Sequence, residues 1–373
     1  MAAADRHAGS KNPFDYASAP ARWLFYTGVF CIFAPFSLIY DLAAPKGLSW
    51  TVLFAWSVYS GATAVGWAYG FTRNLRYLWI HVPLSFLVGS YFGQSVYFRP
   101  NAQTALAVEA GVAIAMIIVG YFCIAVFIGV EGTKMIRLRT EIQLAKQIHE
   151  HLVPPVSHAS DRLELYGISH PASEVGGDLM DVHFGNGKIG LYVADVTGHG
   201  VPAGVSMGMI KSAIRMRLRT SPALGELVSD LNDVISQTQR PGTLATFAAL
   251  EFHGDGRADY ALAGHLPILH FRAATRTLAK LPNVHPPFGV FAGRAFGHTQ
   301  VVAAPGDLFV ILTDGFTEVF NAEGEEFGDA RIDRIVEDSC DRPLAEIYDR
   351  ILAAARAFGP QLDDQTLLLA RVR

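Results

Sequence analysis

Glu174-Val-Gly-Gly-Asp178-Leu-Met-Asp181 opens the decisive stretch of the chain, and Asp195-Val-Thr-Gly-His-Gly200 follows closely. Acidic residues stand beside glycines where strands run into turns. Farther on come Thr313-Asp314-Gly315 and Asp363-Asp364-Gln-Thr366, again acids at turns or strand starts. A carboxylate beside glycine can point into a cleft without crowding. Several converging carboxylates repel one another severely, and a divalent cation removes that repulsion. Hard cations such as magnesium or manganese take oxygen ligands. One such Asp is an ordinary turn signal. The set together points to a metal site built from Asp178, Asp195, Asp314 and Asp363.

These blocks, with Leu262-Ala-Gly-His265 and Glu318 after Thr313-Asp-Gly, resemble the SpoIIE-like branch of the metal-dependent (type 2C) serine/threonine protein phosphatases. The family pattern runs Glu-x-Gly-Gly-Asp-x-x-Asp, Asp-Val-Ser-Gly-His-Gly, Asn-Ala-Gly-His, Thr-Asp-Gly and Asp-Asp-x-Thr. The likeness covers Leu163 to Arg373 and departs in two places. Leu179-Met180 replaces a pair that is often aromatic, and Leu262 stands where Asn is common, which removes that Asn's hydrogen bonds.

The resemblance implies an α+β fold, a four-layer α-β-β-α sandwich, working with two divalent ions, manganese or magnesium. Motif by motif, Asp178 would bridge both ions. Asp195 and the carbonyl of Val196 would hold one, and Asp314 and Asp363 the other, with Asp364 the alternative to Asp363. Such a pair of ions permits direct attack of water on a phosphomonoester. Cys340 is the only cysteine in this half and has no basic loop near it, which argues against thiolate chemistry. Glu174, Asp181 and Glu318 are either outer acceptors or solvent-facing charges. His199, between two glycines, is a candidate general acid, and His265 a turn-stabilising residue. The implied substrate is a phosphoserine or phosphothreonine on an anti-sigma-factor antagonist or a similar regulatory protein.

The first half differs in kind. The chain is 51% hydrophobic with a net charge of -4, and its apolar excess lies before residue 131. No basic run of the sort that grips nucleic acid is present. Four apolar stretches, Trp23–Leu42, Leu48–Tyr69, Tyr77–Phe98 and Leu106–Val130, each approach the ~20 residues that cross a bilayer. Aromatic residues such as Trp23, Trp50, Tyr69 and Tyr77 lie near their ends. Arg6, Lys11, Arg22, Arg73, Arg76, Lys134, Arg137 and Arg139 fall on one side, Lys46 and Arg99 on the other. That imbalance places both termini in the cytoplasm of a bacterial inner membrane, in contact with lipid. His81 and Glu109 sit near span ends, where they can reach water, with a sensing role the alternative for Glu109, and Pro35 and Pro83 should bend or break their helices.

Four regions are therefore expected: a polar tail (1–22), a four-helix membrane region (23–130), a linker helix (131–155) and a phosphatase domain (156–373). In the linker, Met135, Leu138, Ile142, Ala145 and Leu152 follow three- and four-residue steps, with His149 completing the seam. This spacing predicts a short parallel coiled coil and a homodimer through residues 131–153, stopped by Pro154-Pro155. His149 and His151 otherwise read as solvent-facing. Strands are expected at Leu163–Ser169, Leu179–Phe184, Lys188–Ala194, Thr246–Phe252, Arg257–Leu262, Ile268–Arg272, Thr299–Val302, Leu308–Thr313 and Gln365–Val372. Helices should run over Pro202–Thr220, from Ser221 to about Gln239, and over Asp329–Ser339 and Pro343–Phe358. A sensor histidine kinase is disfavoured because Asp195-Val-Thr-Gly-His-Gly is one residue too long for a nucleotide box. An inactive phosphoprotein-binding scaffold is disfavoured because all four carboxylates are present.

Overall fold

The computed structural model describes residues 17–43, 48–73, 75–94, 106–185, 187–198, 200–238 and 243–373. The chain divides into two compact units, Met1–Arg139 and Thr140–Arg373.

The first unit is helical: α1 (Ala19–Phe33), α2 (Phe36–Ala43), α3 (Trp50–Arg73), α4 (Leu75–Gln94) and α5 (Leu106–Phe127). Pro35, lacking an N–H, separates α1 from α2, whereas Pro83 lies inside α4. Gly28 and Gly120 let α1 and α5 touch backbone to backbone. A Cβ built on Gly28 would lie 3.0 Å from the Gly120 carbonyl oxygen. Helices occupy most of all four expected apolar stretches, the first being interrupted at Ala34-Pro35 and the second starting only at Trp50; residues 44–47 and 95–98 lie outside the described residues. Among the described residues two helical stretches, Ala19–Asp41 and Val108–Leu152, are long and apolar enough to cross a membrane. α3 and α4 carry more Ser, Thr, Gly, His and Arg, which lowers their hydropathy. His81 bridges these two helices, its Nε2 lying 3.1 Å from the Thr63 carbonyl. Glu109 is buried at 1% exposure, so the sequence expectation that it reaches water fails. It starts a helix that packs against its neighbours there.

A single π-turn (Ile128–Gly132) leads into α6 (Thr133–Leu152), which is the expected linker helix. Its expected seam is corrected in part. Ile142, Ala145 and Leu152 are half-buried and His149 is 5% exposed. The C-terminal half of this face is covered within the second unit, where the Lys211 ammonium donates to the Leu152 carbonyl. His149 is therefore not solvent-facing, while His151 is exposed.

The second unit contains β1 (Val156–Ala159), β2 (Leu163–His170), β3 (Leu179–Gly185), β4 (Lys188–Val196), α7 (Val201–Arg217), α8 (Leu224–Thr238), β5 (Ala245–Phe252) and β6 (Arg257–Ala263). β7 (Ile268–Arg272), β8 (Thr277–Leu281), β9 (Thr299–Val302), β10 (Leu308–Leu312), α9 (Asp314–Thr317), α10 (Asp329–Ser339), α11 (Leu344–Phe358) and β11 (Gln365–Val372) complete it. Two antiparallel sheets form, ordered β1-β2-β11-β10-β7-β8 and β3-β4-β5-β6-β9. Helices α10 and α11 cover the first sheet, and α7 and α8 the second. The α-β-β-α expectation agrees with this layering.

The central strands show why the sheets stack. Leu308, Val310 and Leu312 of β10 belong to the core under α10 and α11, while Phe309 and Ile311 belong to the core between the sheets. β11 does the same with Leu367 and Leu369 against Leu368 and Ala370. Successive side chains point to opposite faces, so a strand apolar at every position must be buried on both.

Candidate active site

The topology gathers the acidic motifs at one end of the sandwich. Asp178 immediately precedes β3, Asp195 lies at the end of β4, Asp314 follows β10 and Asp363 precedes β11. β3 and β4 are antiparallel neighbours in one sheet, with Leu179 opposite Ala194. β10 and β11 are antiparallel neighbours in the other, with Leu312 opposite Leu367. The start of one strand therefore meets the end of the next in each sheet.

Asp178 is the hub. It is 1% exposed, and its Oδ2 accepts hydrogen bonds from Thr366 Oγ1 at 2.6 Å and Thr313 Oγ1 at 2.8 Å. Both hydroxyls come from the opposite sheet, so these bonds tie the two layers together at the site. Burial, then Asp195 and Asp364, push the Asp178 carboxyl well above its ordinary range, with the two threonine hydroxyls opposing. Burial followed by Asp314, Asp363, Asp364 and Glu318 pushes Asp195 up to about 7. Burial and then Asp363 raise Asp314. Burial first, and then the proximity of like charges, disfavours the ionised form of each of these carboxyls.

The donor set suits a hard divalent cation, since it is all oxygen and carries excess negative charge. The Val196 carbonyl fits the same set. A Cβ on Gly177 would lie 2.8 Å from that oxygen, so only glycine at this position leaves it uncovered. Among the described residues, no three His, Cys, Asp or Glu side chains are grouped closely enough to hold an ion.

The adjacent pair Asp363-Asp364 divides its work. Asp364 is 3% exposed, and both of its oxygens are engaged, accepting from Ala172 N at 2.7 Å and Gly177 N at 2.6 Å. It holds the loop that carries Asp178. Asp363 is exposed and couples to Asp195 and Asp314. Gly315 permits this packing, because a Cβ there would lie 2.0 Å from the Asp364 carbonyl.

The remaining expected residues separate. Asp181 is buried and engaged by Arg215 at 2.6 Å and Lys211 at 3.0 Å, which pins β3 to α7. Glu318 lies on the rim, raised by burial and then by Asp314, Glu326 and Asp363. Glu174 is exposed and pairs with Lys146 of α6 at 2.9 Å. His265 is 4% exposed, its Nδ1 lies 3.1 Å from the Leu266 carbonyl, and burial lowers it to about 4. It is a neutral turn residue. His199 lies outside the described residues.

Sequence reasoning missed four participants. Thr313 and Thr366 stand inside the quoted motifs, yet a hydroxyl reaching across sheets leaves no periodic trace. Lys146 and His149 come from the linker helix and meet the loop region around Asp178. His149 lies close enough to Asp364 to feel its charge, and burial lowers its pKa.

Fold and site together define a class, that of the type 2C-like protein serine/threonine phosphatase domains. The chain belongs to the SpoIIE family, whose model, described as Stage II sporulation protein E (SpoIIE), matches residues 185–373. The phosphoserine phosphatase RsbU of Bacillus subtilis is 26% identical over 242 residues, covering 63% of this chain and 70% of the relative. Protein IcfG of Synechocystis sp. is 23% identical over 223 residues, covering 52% of this chain but only 35% of the relative. Among solved structures, the SiaA-PP2C domain of Pseudomonas aeruginosa superposes with a TM-score of 0.56 at 19% identity. It covers 64% of this chain and 98% of that domain. That likeness supports the fold.

Proposed function

We propose that this chain is a membrane-anchored, metal-dependent phosphatase acting on phosphoserine or phosphothreonine of a regulatory protein, an anti-sigma-factor antagonist. The observation that carries this is the electrostatic coupling of Asp195 to Asp314, Asp363, Asp364 and Glu318 at the meeting of the two sheets. When bound, two divalent cations, manganese or magnesium, would supply charge neutralisation and an activated water. Asp178 would contact both, Asp195 and the Val196 carbonyl one, and Asp314 and Asp363 the other. Thr313 and Thr366 orient Asp178 through their hydroxyls, as partners behind metal ligands do. Asp364 keeps the Gly176-Gly177 loop in place, so that the Val196 carbonyl stays open. His199 would protonate the leaving seryl oxygen.

Four spans, with both ends of the chain in the cytoplasm of a bacterial inner membrane, are supported by the basic-residue asymmetry and by the helices at all four apolar stretches. A homodimer through residues 131–153 would use apolar side chains that α6 leaves exposed, among them Leu138 of the expected seam together with Ile136, Leu144 and Ile148. The substrate assignment is supported by family membership and by the RsbU relative. The test is hydrolysis of a chromogenic phosphate ester and of a phosphoserine protein by the purified full-length chain, with and without manganese. Manganese-dependent turnover that Asp178→Asn abolishes is expected. Turnover unaffected by a chelator would refute the metal assignment.

A further inference from the structure

In the first unit, a cleft of about 520 Å³ opens between α1, α3 and α4, within the size range of ligand pockets. Arg22, Trp23, Tyr26, Gly66, Tyr69 and Tyr77 form much of its lining. Its aromatic wall is already ordered. The Tyr26 and Tyr69 rings lie 6.5 Å apart, and Tyr69 meets Tyr77 edge to face at 5.4 Å. The Tyr26 hydroxyl lies 3.2 Å from Thr72 Oγ1, and that of Tyr77 lies 3.3 Å from His81 Nδ1. Gly66 keeps this wall in place, because a Cβ there would lie 2.3 Å from the His81 ring.

One cation faces this wall. Arg22 is half-buried and is the one charged residue in the lining. Among the described residues no carboxylate pairs with it. Glu131, which accepts from Ser18 at the start of α1, is itself paired with Lys134 at 3.1 Å. Arg22 lies in the first turn of α1, where the helix dipole adds positive potential. An unpaired guanidinium over a tyrosine wall suits an amphiphile with an anionic head. A free inorganic anion would leave the apolar wall unused. Trp23 at the rim is 73% exposed, as an interfacial residue facing lipid would be.

We propose that this cleft binds an anionic phospholipid, with its phosphate on Arg22 and its glycerol–acyl junction against Tyr26, Tyr69 and Tyr77. The inference rests on the membrane reading above, in which Arg22 lies at the cytoplasmic surface, where basic pockets between helices take lipid headgroups.

The test uses the full-length chain extracted in mild detergent and reconstituted into nanodiscs of phosphatidylcholine with or without phosphatidylglycerol. Lipid retained through re-extraction is counted by native mass spectrometry. Selective retention of about one phosphatidylglycerol per chain is expected. Arg22→Gln should lower it at least tenfold, Arg22→Lys should preserve much of it, and Tyr69→Ala should weaken it. Arg139→Gln, which removes an equal charge outside the cleft, should leave it unchanged. Equal retention of the two lipids, or an equal loss in Arg139→Gln, overturns the proposal. Displacement of the lipid by millimolar inorganic phosphate also overturns it, because the ligand would then be a free anion. Alkaline carbonate extraction of cell membranes separates the two readings. A chain that stays in the membrane but shows no lipid preference sinks this proposal alone, and a chain released to the supernatant sinks the membrane reading as well.

Discussion

Replacing Asp195 by Asn should stabilise the metal-free catalytic unit while abolishing its activity. Burial and the neighbouring acids raise Asp195 from 3.8 to about 7. A difference of about three pH units corresponds to roughly 4 kcal/mol of differential interaction. With its pKa raised on folding, this carboxyl keeps its proton in the folded state after the unfolded chain has lost it. The cost is absent below about pH 4, grows between about 4 and 7, and is complete above that range. Metal-free protein should therefore lose stability as pH rises through this window, and Asn at 195 should remove that contribution. At pH 8 in chelator the variant should gain up to roughly 4 kcal/mol. For a domain of this size that is about 8–16 °C in Tm. Manganese should raise the Tm of the parent and do much less for the variant, which has lost a ligand. Calorimetry of the Thr140–Arg373 unit, which contains both phosphatase cores, at pH 5 and pH 8 would measure this. A variant no more stable than its parent at pH 8 in chelator would refute the claim that burial and the neighbouring acids disfavour the Asp195 carboxylate.

Other expectations are as specific. Thr366→Val removes the hydroxyl that orients Asp178 and should cost about 10–100-fold in manganese affinity or turnover, read from metal titrations of activity. Asp364→Ala frees the Ala172 and Gly177 amides and should destabilise the unit by about 2–4 kcal/mol in urea unfolding, whereas Asp363→Asn should leave stability nearly unchanged and weaken metal use; the reverse pattern would exchange their roles. Asp substituted at Leu144 and Ile148 should dissociate the proposed dimer in sedimentation without reducing the stability of the monomer, because both side chains are exposed. Cysteines introduced at Gly47 and Asn101, with Cys31 and Cys123 removed, should react with an impermeant thiol reagent in intact cells; labelling at position 74 instead would invert the orientation.

Much of this was legible in sequence for a local reason. Strands apolar at every position, such as Leu308–Leu312, announce burial on both faces, and Asp-Gly steps at their ends announce where the acids go. β1 and β8 escaped notice because both are short edge strands with largely exposed residues and little alternation. The linker misled in the opposite direction. Its heptad spacing marks an apolar face but not what covers it, and half of that face is covered by the catalytic unit itself.

Residue type and order alone announced the helical first half, the paired sheets and the acidic motifs that meet between the sheets, because each depends on local periodicity or on a short motif. Tertiary structure decided which of the neighbours Asp363 and Asp364 anchors a loop and which stays exposed. It also decided that Asp181 is held by Lys211 and Arg215, and that Thr313 and Thr366 reach across from the other sheet to Asp178. Those outcomes depend on contacts between residues as many as 192 positions apart. The direction of a carboxylate is set by whichever donor the packing of two sheets brings to it, and no local pattern records that donor.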